Sequence, residues 1–321
     1  MTSLSLTELL DSECTVDLEH LTNLVQRGDL THAPQHARPD AWKYLLGVSS
    51  KHKSRELSRN RHIHKYYAEL SSRAATDAAQ PHARPSYATH LKRAVRDYGA
   101  AHAPYHQPHA QQMLERLLRA YLHESGAPFQ PGLVELAAPF CSVYAASEAD
   151  AYHALAELMR HVEWGHSFAG LKAMSVMFMT LLRHVLPEVY VYFEHNGFAC
   201  DGSPPWLNSW LQFLLARELP IESLLALWDC YFASLPFSES ALATATAKAT
   251  ATLTTVPPGS LLELHVFVCL AVLESCQEEL LELDGEEALR FLQRMPRLDG
   301  RQLVAAARDI RVACAVGKGV W

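Results

Sequence analysis

Clean strand alternation is almost absent from this chain, and nothing in it pairs its cysteines. The seven cysteines (Cys14, Cys141, Cys200, Cys230, Cys269, Cys276 and Cys314) are scattered and form no Cys-x-x-Cys pair. Several lie inside apolar helical runs, where a free thiol serves as a small hydrophobe in a reducing compartment. A disulfide framework is not expected. No run of about 18 apolar residues occurs, so no membrane span is expected. The opening segment MTSLSLTELLDSEC has neither the basic start nor the long apolar core of a secretory signal. Basic charge is short as well. The 28 Lys+Arg against 35 Asp+Glu leave a net charge of -7, the wrong sign for a general nucleic-acid binder. Gly-x-Ser-x-Gly, a Walker P-loop and a Gly-x-Gly-x-x-Gly after a strand are all missing, which argues against substrate chemistry of the chain's own. No repeat with a period of about 33 to 47 residues is present, which counts against helical solenoids.

What remains is an ordinary globular balance, 49% hydrophobic and 20% charged, over 321 residues. That is enough for one large unit or two smaller lobes with substantial cores. Helical periodicity dominates. Met113, Leu114, Leu117, Leu118 and Tyr121 mark a helix that stops before Gly126 and Pro128. Leu133, Leu136, Ala137, Phe140 and Tyr144 mark another, with Pro139 expected to kink it. Tyr152, Leu155, Met159 and Val162 mark a third. Leu171 to Leu182 and Leu264 to Leu273 are apolar nearly all round and are expected in a core. Near the end, Leu303, Ala307 and Ile310 share a face. Three segments read as loops or insertions: Ala74 to Ala88, Gly197 to Pro205, and the Ala/Thr-rich Ala241 to Pro258.

The densest signal is WLNSWLQFLLARELPIESLLALWDCYFAS, from Trp206 to Ser234. Trp206, Trp210, Phe213 and Leu214 fall on one helical face. After Pro220, Ile221, Leu224, Leu225, Trp228 and Phe232 do the same. Such spacing describes a buried helical hairpin. A second cluster lies in GDLTHAPQHARPDAWKYLLGV, with Gly28, Arg38, Pro39, Trp42, Leu45, Leu46 and Gly47. Here Pro39 is expected to open a helix and Gly47 to end it. In order and spacing, these two segments together with RLLRAYLHES, LVELAAPF and the run Val266 to Leu273 resemble the TBC domain of Rab-type GTPase-activating proteins. The resemblance covers most of the chain. It implies an all-α, two-lobed, multi-helix domain over residues 28–313. Its lobes are expected at about 28–165 and 166–313, with an insertion at 241–258. A helical lead-in (1–27) and a tail (314–321) flank it. Arg38, Trp42, Gly47, Trp206, Trp210, Trp228 and Asp229 are its structural motif residues.

Active TBC domains insert an arginine, from an I-x-x-D-x-x-R motif, and a glutamine, from a Y-x-Q-G motif, into the GTPase site. The arginine offsets charge developing on the γ-phosphoryl group, and the glutamine orients the attacking water. Both motifs can be placed here, and both are altered. The first falls on Leu91-Lys92-Arg93-Ala94-Val95-Arg96-Asp97, so that Asp97 occupies the arginine position and Ala94 the aspartate position. A carboxylate facing a triphosphate has the wrong sign. The second falls on Phe129-Gln130-Pro131-Gly132, so that Pro131 occupies the glutamine position. Proline has no amide with which to hold a water. Arg96, Arg93 and Gln130 are shifted candidates. One residue on a helix turns a side chain by about 100°, so Arg96 is not expected to inherit the finger's direction.

These residues therefore predict a pseudo-GAP that binds a Rab-type small GTPase or a helical scaffold protein, through Leu91, Arg93, Arg96, Phe129, Gln130 and Gly132. An active GTPase activator using Arg96 and Gln130 is one alternative. A structural subunit of a larger signalling complex, like the small TBC subunit of the tuberous sclerosis complex in size and degeneracy, is the other. The expected setting is cytoplasmic vesicle trafficking, with peripheral recruitment to endomembranes left open. No cofactor and no metal are expected. The 18 histidines, His62, His64, His102, His106 and His109 among them, show no zinc-ligand spacing. Two charged stretches remain, basic Lys51 to Lys65 and acidic Glu274 to Glu287. Each reads first as a solvated helix face. The basic one reads second as a patch for an acidic membrane or partner.

Overall fold

The structure, a computed structural model, describes residues 5–79, 85–198, 204–236 and 255–317. Among them are sixteen α-helices, two short 3₁₀ turns and no strand. Backbone pairing of the β type is confined there to one isolated bridge, Thr15 with His52. The helices are α1 (Leu6–Leu10), α2 (Leu18–Arg27), α3 (Ala37–Leu45), α4 (Lys53–Ala79), α5 (Pro85–Ala101), α6 (Pro108–Ser125), α7 (Leu133–Val143) and α8 (Glu148–His166). Then follow α9 (Phe168–Val185), α10 (Pro187–His195), α11 (Pro205–Phe213), α12 (Ile221–Phe232), α13 (Leu261–Ser275), α14 (Gln277–Glu282), α15 (Gly285–Gln293) and α16 (Gly300–Gly317). Chain contacts divide these into two compact units. One holds residues 1–25 and 29–159, and the other residues 26–28 and 160–321.

Local chemistry sets many of the helix ends. Ser5 and Glu8 form a reciprocal capping box at α1, and Asp284 and Glu287 form another at α15. Ser167 and Ser260 accept from the Gly170 and Glu263 N–H groups to cap α9 and α13. Gly126 ends α6 in the left-handed conformation. α3 starts at Ala37, two residues before Pro39. The proline thus sits in the first turn, where its missing N–H would have had no helical partner anyway.

In the first unit α6 is the central helix, packed by α4, α5 and α7. Tyr67 and Leu70 of α4 bury against Ala120 of α6 and Ala149 and Tyr152 of α8. Trp42 is fully buried and meets Phe140 and Tyr144 edge-on, at ring-centroid distances of 5.7 and 6.5 Å. The Tyr144 hydroxyl donates to the Pro39 carbonyl at 3.1 Å, which ties α7 to α3. In the second unit α13 is buried at every position from Leu264 to Leu273, as a helix apolar all round should be. It packs against α9, α11 and α16. Trp206 lies among Phe178, Phe193 and Trp210, and the Trp210 indole donates to the Leu292 carbonyl at 2.9 Å. Gly28, at φ +95°, lies against Arg301, whose Nη1 donates to the Arg27 carbonyl at 2.9 Å. A side chain at Gly28 would overlap that guanidinium.

Three expectations change. The expected loop Ala74 to Ala88 is helical wherever it is described, since α4 runs to Ala79 and α5 starts at Pro85. Alanine-rich chain is a strong helix former even without a visible period, and Pro85 stands at a helix start, where proline is tolerated. α9 is not a core helix all round. It buries Met174, Phe178 and Leu182 but leaves Val176 59% exposed. The acidic run Glu274 to Glu287 is not one amphipathic helix. It spans the end of α13, all of α14 and the start of α15, with Leu280 alone among its leucines fully buried. Cys200, most of the 197–205 loop and residues 241–254 lie outside the described residues.

Two histidines, His265 fully buried and His166 half-buried, make the second unit sensitive to acid. His265 sits between the Tyr231 hydroxyl (2.7 Å from Nδ1) and the Trp210 carbonyl (2.8 Å from Nε2). A neutral ring satisfies both, with Nδ1 accepting and Nε2–H donating. Burial pushes its pKa down to about 4. Burial does the same to His166, to about 4. A depressed folded-state pKa means that the unfolded chain binds the proton first. The stabilisation is therefore complete above the ordinary histidine value near 6.5 and is lost as pH falls toward 4. Thermal unfolding followed from pH 7 to pH 5 should show a loss on the order of 2 kcal/mol for each histidine. His265→Gln should flatten the slope. A second check concerns Gly300, where a Cβ would overlap the backbone of Ala226 and Leu227 in α12. Gly300→Ala should cost about 1–3 kcal/mol in denaturant unfolding.

Candidate functional site

An open cleft of about 510 Å³ lies in the first unit between α5 and the turn that leads into α7. Its α5 wall is one helical stripe: His90, Arg93, Ala94, Asp97, Tyr98 and Ala101. The opposite side of α5 fixes that stripe, because Leu91 and Val95 are buried at 0% and 2% exposure. The other wall is Phe129, Pro131, Val134 and Glu135, and His102 closes the end. The turn 129–132 is held by its own backbone. Leu133 N–H donates to the Gln130 carbonyl at 3.0 Å, Val134 N–H to Pro131 at 3.0 Å, and Leu136 N–H to Gly132 at 3.2 Å. These bonds present Pro131 outward and bury Gly132.

Asp97 is flanked by two guanidinium groups. Its Oδ2 is 3.6 Å from Arg93 Nε and its Oδ1 is 3.7 Å from Arg96 Nε. All three side chains are well exposed, so the pairs sit in a high dielectric and each is worth little. Tyr98 is packed deeper. Its ring stacks on His102 at 3.9 Å and meets Tyr105 edge-on at 5.3 Å. Burial, reinforced by the Glu135 carboxylate, raises the Tyr98 hydroxyl above its ordinary range and keeps it protonated.

Residues 35–281 match the Rab-GTPase-TBC domain family. The chain belongs to that family. Among similar curated proteins, GTPase-activating protein gyp1 of Schizosaccharomyces pombe is 26% identical over 315 residues, covering 88% of this chain and 55% of its own length. TBC1 domain family member 22A of Mus musculus is 23% identical, covering 87% and 53%. TBC1 domain family member 22B of Homo sapiens is 22% identical, covering 91% and 56%. The chain spans about half the length of the curated relatives it matches. The crystal structure of the Ypt/Rab-GAP domain of Gyp1p shares the fold at a TM-score of 0.72 and 19% identity, covering 93% of this chain and 94% of that one. The Chlamydomonas flagellar RabGAP TBC domain gives 0.62 and 17%, covering 90% and 83%.

Within this TBC domain, Asp97 and Pro131, the residues on which the sequence reading placed the two finger positions, line the same cleft. Of the shifted candidates, Arg93 lines the cleft and is turned onto Asp97, whereas Arg96 and Gln130 are not among the lining residues. Leu91 and Gly132 are buried behind the walls, and Phe129 faces in. Arg38 is half-buried near the start of α3, and Gly47, at φ +73°, follows its end. Trp42, Trp206, Trp210, Trp228 and Asp229 are all buried, and none of them lines this cleft. His90, Tyr98, Ala101, Val134 and Glu135 were not singled out from sequence, and His102 was named there only among the histidines weighed against a zinc site. The signal for the α5 members was present. Stepping from Arg93 or Asp97 by three or four residues reaches His90, Ala94 and Ala101. Among the described residues no cluster of three or more His, Cys, Asp or Glu could hold a metal. No single described helix is long and apolar enough to cross a membrane.

Because the Asp97 pairs are exposed, Asp97→Asn should change thermal stability by less than about 0.5 kcal/mol. A larger loss in calorimetry would show that the carboxylate holds structure rather than only charge.

Proposed function

We propose that this chain binds a Rab-type small GTPase as a pseudo-GAP, without supplying the arginine and glutamine pair. One observation carries the reading: Asp97 and Pro131 face the same cleft, while Arg96 and Gln130 do not. The family makes a Rab-type GTPase the natural partner, and gyp1, a similar protein, is named as a GTPase-activating protein. In a GTPase complex, Asp97 would meet the γ-phosphate with like charge. Pro131 offers no amide to a hydrolytic water. Arg93 is the cation nearest the cleft, but any anion must compete with Asp97 for it.

Single-turnover GTP hydrolysis over a panel of Rab-type GTPases tests this. The native chain should accelerate hydrolysis by less than about 10-fold, against the 10³ to 10⁵ that an arginine finger supplies. The double variant Asp97→Arg with Pro131→Gln should raise the rate by roughly 100-fold or more on a GTPase that the native chain binds. Strong acceleration by the native chain that disappears in Arg93→Ala or Arg96→Ala would reverse the reading and make the shifted arginines the working fingers.

A further inference from the structure

The second unit carries a groove of about 590 Å³ between α9, α13 and α16. It contains no residue of the cleft described above. Its lining is His184 and Val185 at the end of α9, Glu274 in the last turn of α13, and a stripe of α16. That stripe is Ala306, Asp309, Ile310, Ala313 and Cys314, the spacing of one helical face. Behind it, Leu303, Val304 and Ala307 are buried, so α16 is anchored and the groove is preformed.

Shape and charge narrow the occupant. The floor, Val185, Ala306, Ile310 and Ala313, is apolar and mostly small, which lets another helix approach closely. Val312 and Val316 continue the apolar surface along α16, at 59% and 73% exposure. With Asp309 and Ala313 they make an i, i+3, i+4, i+7 row that faces solvent. Both full charges in the lining are negative: Glu274 and Asp309. Neither is in an ion pair among the described residues. The carboxyl ends of α9 and α13 meet at the groove and add negative partial charge. His184 is the one lining side chain able to take a positive charge. An anionic or neutral helix would bury or crowd these carboxylates without compensation.

We propose that this groove docks a cationic amphipathic helix of a partner protein. The partner's apolar row lies on Val185, Ile310 and the two alanines, and its Lys or Arg side chains reach Glu274 and Asp309. This is the helix-in-groove mode of recognition, read through i, i+3, i+4 and i+7 anchors. The inference does not rest on the proposed GTPase reading, because the groove and the cleft share no residue.

Two synthetic helical peptides test it. Both carry the same leucine row. One has lysine flanks and the other has glutamate flanks. Fluorescence anisotropy against the full chain should show saturable binding of the lysine peptide, and binding of the glutamate peptide weaker by about 10-fold or more. Glu274→Lys with Asp309→Lys should reverse that preference, and a gain of binding cannot come from misfolding. Ala313→Trp fills the exposed floor without changing charge, and it should weaken the lysine peptide by about 10-fold. Absence of lysine-peptide binding would overturn the proposal. So would binding indifferent to Ala313→Trp, which would show adsorption to acidic surface. Sedimentation of the chain alone completes the test. Self-association lost in Ala313→Trp would make the occupant a second copy, whose basic Lys51 to Lys65 segment with exposed Leu57 has matching chemistry, and would overturn a separate partner.

Discussion

The functional reading depends on the rotational register of one helix. Leu91 and Val95 bury one side of α5 against the first unit's core, and that burial decides what the opposite side presents. Burying two such side chains is worth about 1.5–3 kcal/mol each, whereas turning the helix by one residue would expose both. No exposed ion pair competes with that. The cleft stripe of His90, Arg93, Ala94, Asp97 and Ala101 follows from it directly. Arg96 stands about 100° away for the same reason, so its guanidinium reaches Asp97 Oδ1 at 3.7 Å without lining the cleft.

Under the proposed reading, Asp97 and Pro131 are not equivalent losses. Charge in the cleft has a partial stand-in, because Arg93 and Arg96 both approach Asp97 and the trio is net positive. An anion could draw Arg93 away from Asp97. Solvent-exposed ion pairs of this kind are worth about 0–1 kcal/mol, so the exchange is not prohibitive. Water positioning has no such stand-in. Pro131 lacks a side-chain amide, and Gln130 does not line the cleft. The remaining polar groups of the walls, on His90, Tyr98, His102 and Glu135, belong to other positions and other geometries. Electrostatics alone would leave room for residual catalysis. The missing carboxamide argues against the dual-finger form of it.

Much of the fold was legible because helical periodicity is a direct consequence of burying one face. The hairpin of Trp206 to Ser234, the all-round burial of Leu264 to Leu273 and the face of Leu303, Ala307 and Ile310 are plain in the residues. What misled had physical causes. Ala74 to Ala88 lacks an apolar stripe, so periodicity was silent where intrinsic propensity still made helix. α9 is rich in Leu, Met and Val, yet it leaves Val176 exposed, and composition cannot tell a helix covered on one side from one covered all round. The run Glu274 to Glu287 is cut by backbone turns at Cys276 and Leu283, which break the period without a proline and with a glycine only at its far end. Of the candidate site, Asp97, Pro131, Arg93 and Phe129 were legible. The walls from Val134 and Glu135 were not, because they depend on which helix packs beside α5.

The groove of the second unit follows from the same economy of faces. α16 spends one side on α12 and α13, where Leu303, Val304 and Ala307 are buried. Its start is pinned by Gly300 against α12 and by Arg301 on the Arg27 carbonyl. A helix held this firmly does not reorganise when something binds to its outer side. The cost of occupancy then falls on the ordering of the incoming segment. A partner that is already helical would lose little, and its lysines or arginines would meet carboxylates that no described side chain neutralises. Occupying the groove requires no change at α5. Should GTPase binding and groove binding nonetheless prove coupled, an element with two arrangements must carry the coupling, and an α16 anchored by Leu303, Val304 and Ala307 is not that element.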